Sequence, residues 1–335
     1  MRVGSGSFIY DVADPWVLGI EGPNPEVAAV AVNSKDEVHV LTRSPHPVLV
    51  FDQRGRFLRS FGEGIFSTTH GIHIGPDDTI YIVDAGDSTV RRFSPSGELL
   101  RTFGAPGQTS ETGYRDGDYR TIDRGGPPFN TPTNVAVAPS NEIYITDGYG
   151  NARVHRFRED GTLIASFGVP GRGPGEFLTP HGIFVDRQGT VYVADRENNR
   201  IQLFSPIGEF RSEWTGIRRP DDVFVTTGGV AYVAEMGLQS GIVPGMDRPT
   251  PRTPGSRVTI RNLDGTVLAS LGADGRDDQS PCAPGNFFAA HGIWVDARGS
   301  IYVGEVTSAV GPKDAPGGIG WAPKTCHALQ VFHRT

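Results

Sequence analysis

Short apolar runs that alternate with polar residues, each closed by a turn of Gly, Asp or Ser, recur along the whole chain. Six of them open a unit: "VAAVAVN", "HGIHIGP", "PTNVAVAP", "HGIFVDR", "PDDVFVTT" and "HGIWVDA". Each leads through a turn into a second run, "DEVHVLT", "TIYIVDA", "EIYITDG", "TVYVADR", "VAYVAEM" or "SIYVGEV". Period-two alternation marks a half-buried strand, because successive side chains point to opposite faces. A third run follows, as in "TVRRFSPSG" and "RIQLFSPIG", and a fourth ends on an aromatic or Leu and a Gly, as in "FLRSFG", "LIASFG" and "VLASLG". Four strands repeated six times predict an all-β fold, a six-bladed β-propeller of four-stranded antiparallel blades, with residues 1–335 as a single domain. The sixth unit stops after its third run, "ALQVFHR", while the N-terminus carries an unassigned "SFIYDVAD". Pairing these two would complete the last blade and remove an exposed edge. Insertions at Ala105 to Asn130, Gly237 to Gly255 and Gly311 to Thr325 are expected as loops over the faces.

Composition agrees with a turn-rich β protein, since 45 Gly and 26 Pro in 335 residues disfavour long helices. The net charge of −7, with Arg and Lys scattered, offers no basic patch for nucleic acid. No apolar run is long enough for a membrane helix, and "MRVGSGSFIYDVADPW" lacks the apolar segment of a secretory signal. A cytoplasmic protein with no nucleic-acid or membrane partner is expected. The two cysteines, Cys282 and Cys326, are too few for a disulfide framework and read as separate thiols, with mutual pairing left open.

If the first strand of every unit lines the central channel, its entry position reads Ala28, His70, Thr133, His181, Asp221 and His291. Histidine therefore occupies alternate blades, about 120° apart in a six-fold ring, and the three side chains should converge on the axis. Three neutral imidazoles with an open fourth position form the donor set of catalytic zinc, and other divalent metals accept the same ligands. The Gly after each His would let neighbouring backbones crowd near the axis. The second strands return to the same face and are expected to bring Arg43, Asp84, Asp87, Tyr149, Arg196 and Glu305 near the metal. Arg43 and Arg196 suit a carboxylate, and Tyr149 is the candidate proton-transfer group. Asp147 and Asp195 read as turn caps. His39, His73, His155 and His333 read as structural or surface residues, and His46 and His327 as lying near the face but off the axis.

Through "PTNVAVAPSNEIYITDGYGNARVHRF", "FLTPHGIFVD" and "VYVADRENNRIQLF", the chain resembles the peptidylglycine α-amidating lyase (peptidylamidoglycolate lyase) family of NHL-repeat propellers. The resemblance is closest from Phe129 to Phe204. It implies a six-bladed propeller whose zinc ion, Zn2+, is held by His70, His181 and His291, with Tyr149 as base and Arg196 and Arg43 as active-site arginines. The implied reaction splits a carbinolamide such as a peptidyl-α-hydroxyglycine into an amide and glyoxylate. Where the family carries an aspartate that helps bind structural calcium, this chain has Gly292, which makes structural Ca2+ doubtful. Gly150 replaces a family cysteine and removes that disulfide. The expected substrate is a small, carboxylate-bearing hydroxylated amide. Two other readings fit the same fold: a metal-dependent hydrolase of a lactone or amide, and a non-enzymatic NHL propeller that binds a protein partner.

Overall fold

In a computed structural model of the chain, the described residues are 1–14, 16, 26–237, 255–272, 282–306 and 326–335. The six predicted opening runs form the inner strands Val27–Val32, Thr69–Ile74, Pro132–Val137, Pro180–Val185, Pro220–Val225 and Ala290–Val295. Each packs beside the inner strands of its two neighbours, and Ala290–Val295 returns to Val27–Val32, so the ring closes. Every blade then steps outward through antiparallel strands, as in blade four with Val191–Asp195, Arg200–Phe204 and Phe210–Trp214. Alternation decides which side chains meet between blades. Val83, Val90 and Phe103 of blade two face Val135, Ile143 and Ile145 of blade three, with Phe129 between the sheets. Burying such side chains stabilises the ring by roughly 1.5–3 kcal/mol each. In blades one, two and four the outermost strand is largely exposed, and its terminal Phe or Trp turns inward at Phe61, Phe103 and Trp214.

The N-terminal strand Phe8–Ala13 pairs antiparallel with Leu329–Arg334, placing Tyr10 opposite Arg334 and Val12 opposite Phe332. The last blade is thus completed from the other end of the chain. A further strand that the pattern did not predict, Arg2–Ser5, adds a fifth member outside it. Of the insertions, 105–130 runs over the face as a loop carrying one 3-10 turn, Tyr119–Thr121, whereas 238–254 and 311–325 lie outside the described residues. No helix among the described residues is long and apolar enough to cross a membrane.

The cysteines correct one expectation. Cys282 and Cys326 form a disulfide, with Cα atoms 4.4 Å apart and 44 residues between them in sequence. The ring brings the segment before blade six's inner strand beside the one that enters its third strand, a proximity invisible to spacing alone.

A buried carboxylate closes the face loop of five blades in the same way. Asp84 accepts the backbone N–H of Ser67, Asp147 that of Asn130, Asp195 that of Leu178, Glu235 that of Arg218 and Glu305 that of Phe288, in every case 17 residues back. Each ties the end of the second strand to the loop that enters the first strand. The turn-cap reading of Asp147 and Asp195 agrees with this, and it extends to Asp84 and Glu305.

Ring closure is testable at Tyr10, which is fully buried and has its hydroxyl 3.3 Å from that of Tyr232 in blade five. Tyr10→Ala should cost about 3–5 kcal/mol, the usual range for emptying a buried aromatic site, and lower the urea midpoint of unfolding clearly. A midpoint equal to that of the parent protein would show that the N-terminal strand does not hold the ring.

Candidate metal centre

The ladder between first and second strands slips at the same place in every blade, between Val27 and Ala29, Thr69 and Ile72, Pro132 and Asn134, Pro180 and Ile183, Pro220 and Asp222, and Ala290 and Gly292. Such irregularities re-aim a side chain. In alternate blades the re-aimed residue is His70, His181 or His291. Their ring centroids stand 4.8 to 4.9 Å apart as a near-equilateral triangle. The three offer ligand atoms within 4.8 Å of one another, and they are the one such cluster of His, Cys, Asp or Glu among the described residues.

Each imidazole is oriented by the next blade. Nδ1 of His70 lies 2.6 Å from the Thr133 carbonyl oxygen, that of His181 2.7 Å from the Asp221 carbonyl, and that of His291 2.6 Å from the Ala28 carbonyl. A carbonyl only accepts, so Nδ1 carries the proton and Nε2 keeps its lone pair. The glycines make this approach possible. A Cβ on Gly71 would meet the Thr133 oxygen at 2.7 Å, one on Gly182 the Asp221 oxygen at 2.6 Å, and one on Gly292 the Ala28 oxygen at 2.9 Å.

Burial, reinforced by neighbouring cationic groups, pushes the pKa values of His70 and His181 well below the usual histidine range and that of His291 down to about 3. All three are therefore neutral near pH 7, the form that ligates metals. Three neutral nitrogen donors, each with its second nitrogen held by a carbonyl, fit a divalent ion such as zinc.

Tyr149 lies in the turn that follows Ile143–Asp147, with its backbone N–H on the Thr131 carbonyl and that of Gly150 on the Asn130 carbonyl. Its hydroxyl is 2.9 Å from Nε2 of His70 and 3.0 Å from Nε2 of His181. Arg196 opens a 3-10 turn, Arg196–Asn198, which ends with Asn199 in the left-handed region. Its Nη1 is 3.4 Å from the Tyr149 hydroxyl and 3.5 Å from a carboxylate oxygen of Asp221, and its guanidinium stands over the Tyr149 ring at 5.3 Å. Arg43 is less enclosed. Its Nη1 meets Glu26 at 3.1 Å and its Nε the Thr69 carbonyl at 3.4 Å. His70, His291, Tyr149, Arg196 and Arg43 line one cleft of about 400 Å³, and His181 is in contact with its wall through Tyr149.

The residues expected beside them divide. Asp84 and Glu305 turn to backbone N–H groups, and Asp84 also pairs with Arg91, so neither addresses the histidines. Asp87 binds Thr89 and Arg91 instead. His155 is buried between Ser166 and Asp147, while His46 lies exposed against Glu63.

Sequence reasoning missed a second tier. Glu197 accepts from Nε of Arg196 at 2.9 Å and from Nη2 of Arg219 at 2.6 Å, forming a buried Arg–Glu–Arg group. Burial pushes the Asp221 carboxyl up to about 7 against the opposing pull of Arg196 and Arg219. Arg219 occupies the site two residues before the channel position, where Thr68, Thr131 and Thr179 stand in other blades, and it faces the cleft with Tyr114, Tyr119, Met236 and Val306. The position reads Glu26, Thr68, Thr131, Thr179, Arg219 and Ala289 around the ring, and a cation there was the available signal.

Residues 128–216 match the family model DUF5128, described as a 6-bladed beta-propeller. NHL repeat-containing protein 3 of Homo sapiens is 31% identical over 205 residues, covering 57% of this chain and 56% of that protein. The Mus musculus protein of the same name is 32% identical over 226 residues, with 62% of each chain covered. Peptidyl-alpha-hydroxyglycine alpha-amidating lyase 1 of Drosophila melanogaster is 29% identical over 267 residues, covering 75% of this chain and 45% of that one. The chain thus spans roughly half to three-fifths of the length of these relatives. Among solved structures, a streptogramin B lyase shares the fold with a TM-score of 0.58 at 14% identity, covering 99% of this chain and 100% of its own. A gluconolactonase from Xanthomonas campestris does so with the same TM-score and identity, over 93% and 87%. By sequence repeat and ring architecture together, this chain is a six-bladed β-propeller, similar over part of its length to NHL repeat-containing protein 3 and to peptidyl-alpha-hydroxyglycine alpha-amidating lyase 1.

Proposed function

We propose that the protein is a metal-dependent carbon–nitrogen lyase that splits an N-acyl-α-hydroxyglycine, or a similar carbinolamide, into an amide and glyoxylate. The observation that carries this reading is the Tyr149 hydroxyl, which bridges Nε2 of His70 and His181 while the Arg196 guanidinium stands 3.4 Å away. A proton-transfer group is thus fixed beside the ligand triad with a cation to offset negative charge on its oxygen. The relatives named as amidating lyases point to the same chemistry.

His70, His181 and His291 would hold the metal, which supplies Lewis acidity to a substrate oxygen when bound. The chain's own groups do the rest. The phenolic oxygen of Tyr149 takes the hydroxyl proton, the C–O bond becomes a carbonyl, and the C–N bond breaks with its electron pair on nitrogen. That nitrogen receives the proton and leaves as the amide. Arg196 is committed to Tyr149, Glu197 and Asp221, so its work is to hold the tyrosine hydroxyl in place and to offset negative charge that develops on it. Arg43, more open to the cleft, is the arginine for the substrate carboxylate. A cleft of about 400 Å³ suits a small molecule.

The purified protein should contain about one equivalent of a divalent ion by elemental analysis, and His181→Ala should lose it. Full metal content in that variant and in the triple variant at His70, His181 and His291 would displace the metal from this site.

Tyr149→Phe should lower turnover by about a hundredfold or more with metal content unchanged, the usual scale for losing a proton-transfer group. Arg43→Ala should instead raise KM for the carboxylate substrate more than it lowers kcat. Near-parent kinetics in both variants would remove these roles.

The products decide between lyase and hydrolase. Glyoxylate and the primary amide should appear together from N-acetyl-α-hydroxyglycine, whereas N-acetylglycine should stay intact. Release of acetate from either compound would establish hydrolysis instead.

A further inference from the structure

The cleft has two chemically distinct sides. Arg43 stands on the blade-one side, at the end of Val38–Thr42. The other side is lined by the insertion between blades two and three, whose Tyr114 and Tyr119 face the same cleft as Tyr149, Arg196 and Arg219. Met236 and Val306 face the same space from blades five and six.

The insertion is firmly built. Ser110 N–H donates to the Phe129 carbonyl at 3.2 Å, Asn130 Nδ2 to the Ser110 carbonyl at 2.9 Å, and the Thr112 hydroxyl to the Gly150 carbonyl next to Tyr149. Asp118 caps the 3-10 turn through the Arg120 N–H at 2.9 Å, and Ile122 is buried in the core between blades three and four. The two phenol rings are therefore held over the cleft by a preformed loop, each half-buried, and burial raises the pKa of both hydroxyls so that they stay neutral.

An N-acyl-α-hydroxyglycine carries a carboxylate on one side of its reacting carbon and an acyl group on the other. With the carboxylate on Arg43 and the hydroxyl at Tyr149, the acyl group enters the space under the insertion. We infer that Tyr114 and Tyr119 form an acyl subsite selecting a planar aromatic acyl group, an inference that rests on the lyase reading for its substrate. Two preplaced rings, a thioether and a branched aliphatic side chain favour a flat apolar body through area and edge-to-face contact. A small acyl group would leave that surface uncovered.

The test compares N-benzoyl- and N-acetyl-α-hydroxyglycine as substrates and, separately, N-benzoylglycine and N-acetylglycine as unreactive ligands by calorimetry. The parent protein should favour benzoyl over acetyl by about tenfold or more in kcat/KM and in affinity, the scale that a hydrophobic subsite supplies. Tyr119→Ala and Tyr114→Ala should each cut the ratio severalfold, while Tyr119→Phe should keep it. Equal values for the two acyl groups in the parent, or a ratio unchanged in both alanine variants, would overturn the subsite. If neither hydroxyglycine releases glyoxylate, the lyase reading has failed, and the ligand affinities alone then decide the subsite. If glyoxylate is released without acyl preference, the subsite has failed and the lyase reading stands.

Discussion

Everything at the centre of this ring depends on one hydrogen bond made three times: from Nδ1 of a histidine to the main-chain carbonyl of the next blade, His70 to Thr133, His181 to Asp221 and His291 to Ala28. It crosses a seam between blades and fixes the tautomer of the imidazole at the same moment. The six blades are coupled in three pairs, and the three imidazoles offer ligand atoms within 4.8 Å of one another. Contacts of this kind are commonly worth ten- to a hundredfold in metal affinity. Without Gly71, Gly182 and Gly292 the strands could not approach closely enough to make them.

The face loops rest on a second repeated bond, the buried carboxylate that receives a backbone N–H 17 residues back. Hydrogen bonds to charged groups contribute about 1.5–3 kcal/mol, and these hold the turns from which the chemistry hangs. Asp147 steadies the turn bearing Tyr149, and Asp195 the one bearing Arg196. Strength at the strand ends is thus converted into placement above the channel, a rigid shell beneath a reactive group.

The ring was legible in the sequence because a period of two, repeated with its turns, admits few architectures. The histidines were legible because the repeat gave them equivalent addresses, so His70, His181 and His291 could be separated from His73, which shares an inner strand but not the position, and from His155 on a third strand. The fate of the carboxylates was not. Asp84 and Glu305 end strands on the correct face, yet whether such a side chain looks toward the axis or back to its own loop is decided by N–H groups that alternation does not report. Cys282 and Cys326 meet because the ring folds distant segments together. Glu197 and the tyrosines of the insertion stand outside the repeat, and Arg219, although on a repeat position, finds its partner Glu197 on a different blade. The fifth strand of the last blade, Arg2–Ser5, lies beyond any repeating unit.

The acceptors that orient the three histidines are carbonyls, and a carbonyl belongs to every amino acid. Ala28, Thr133 and Asp221 are chemically unlike, yet each presents the same oxygen to its imidazole. The orientation of the imidazoles therefore does not depend on these three side chains, which are left for other tasks, as the Asp221 carboxylate beside Arg196 shows.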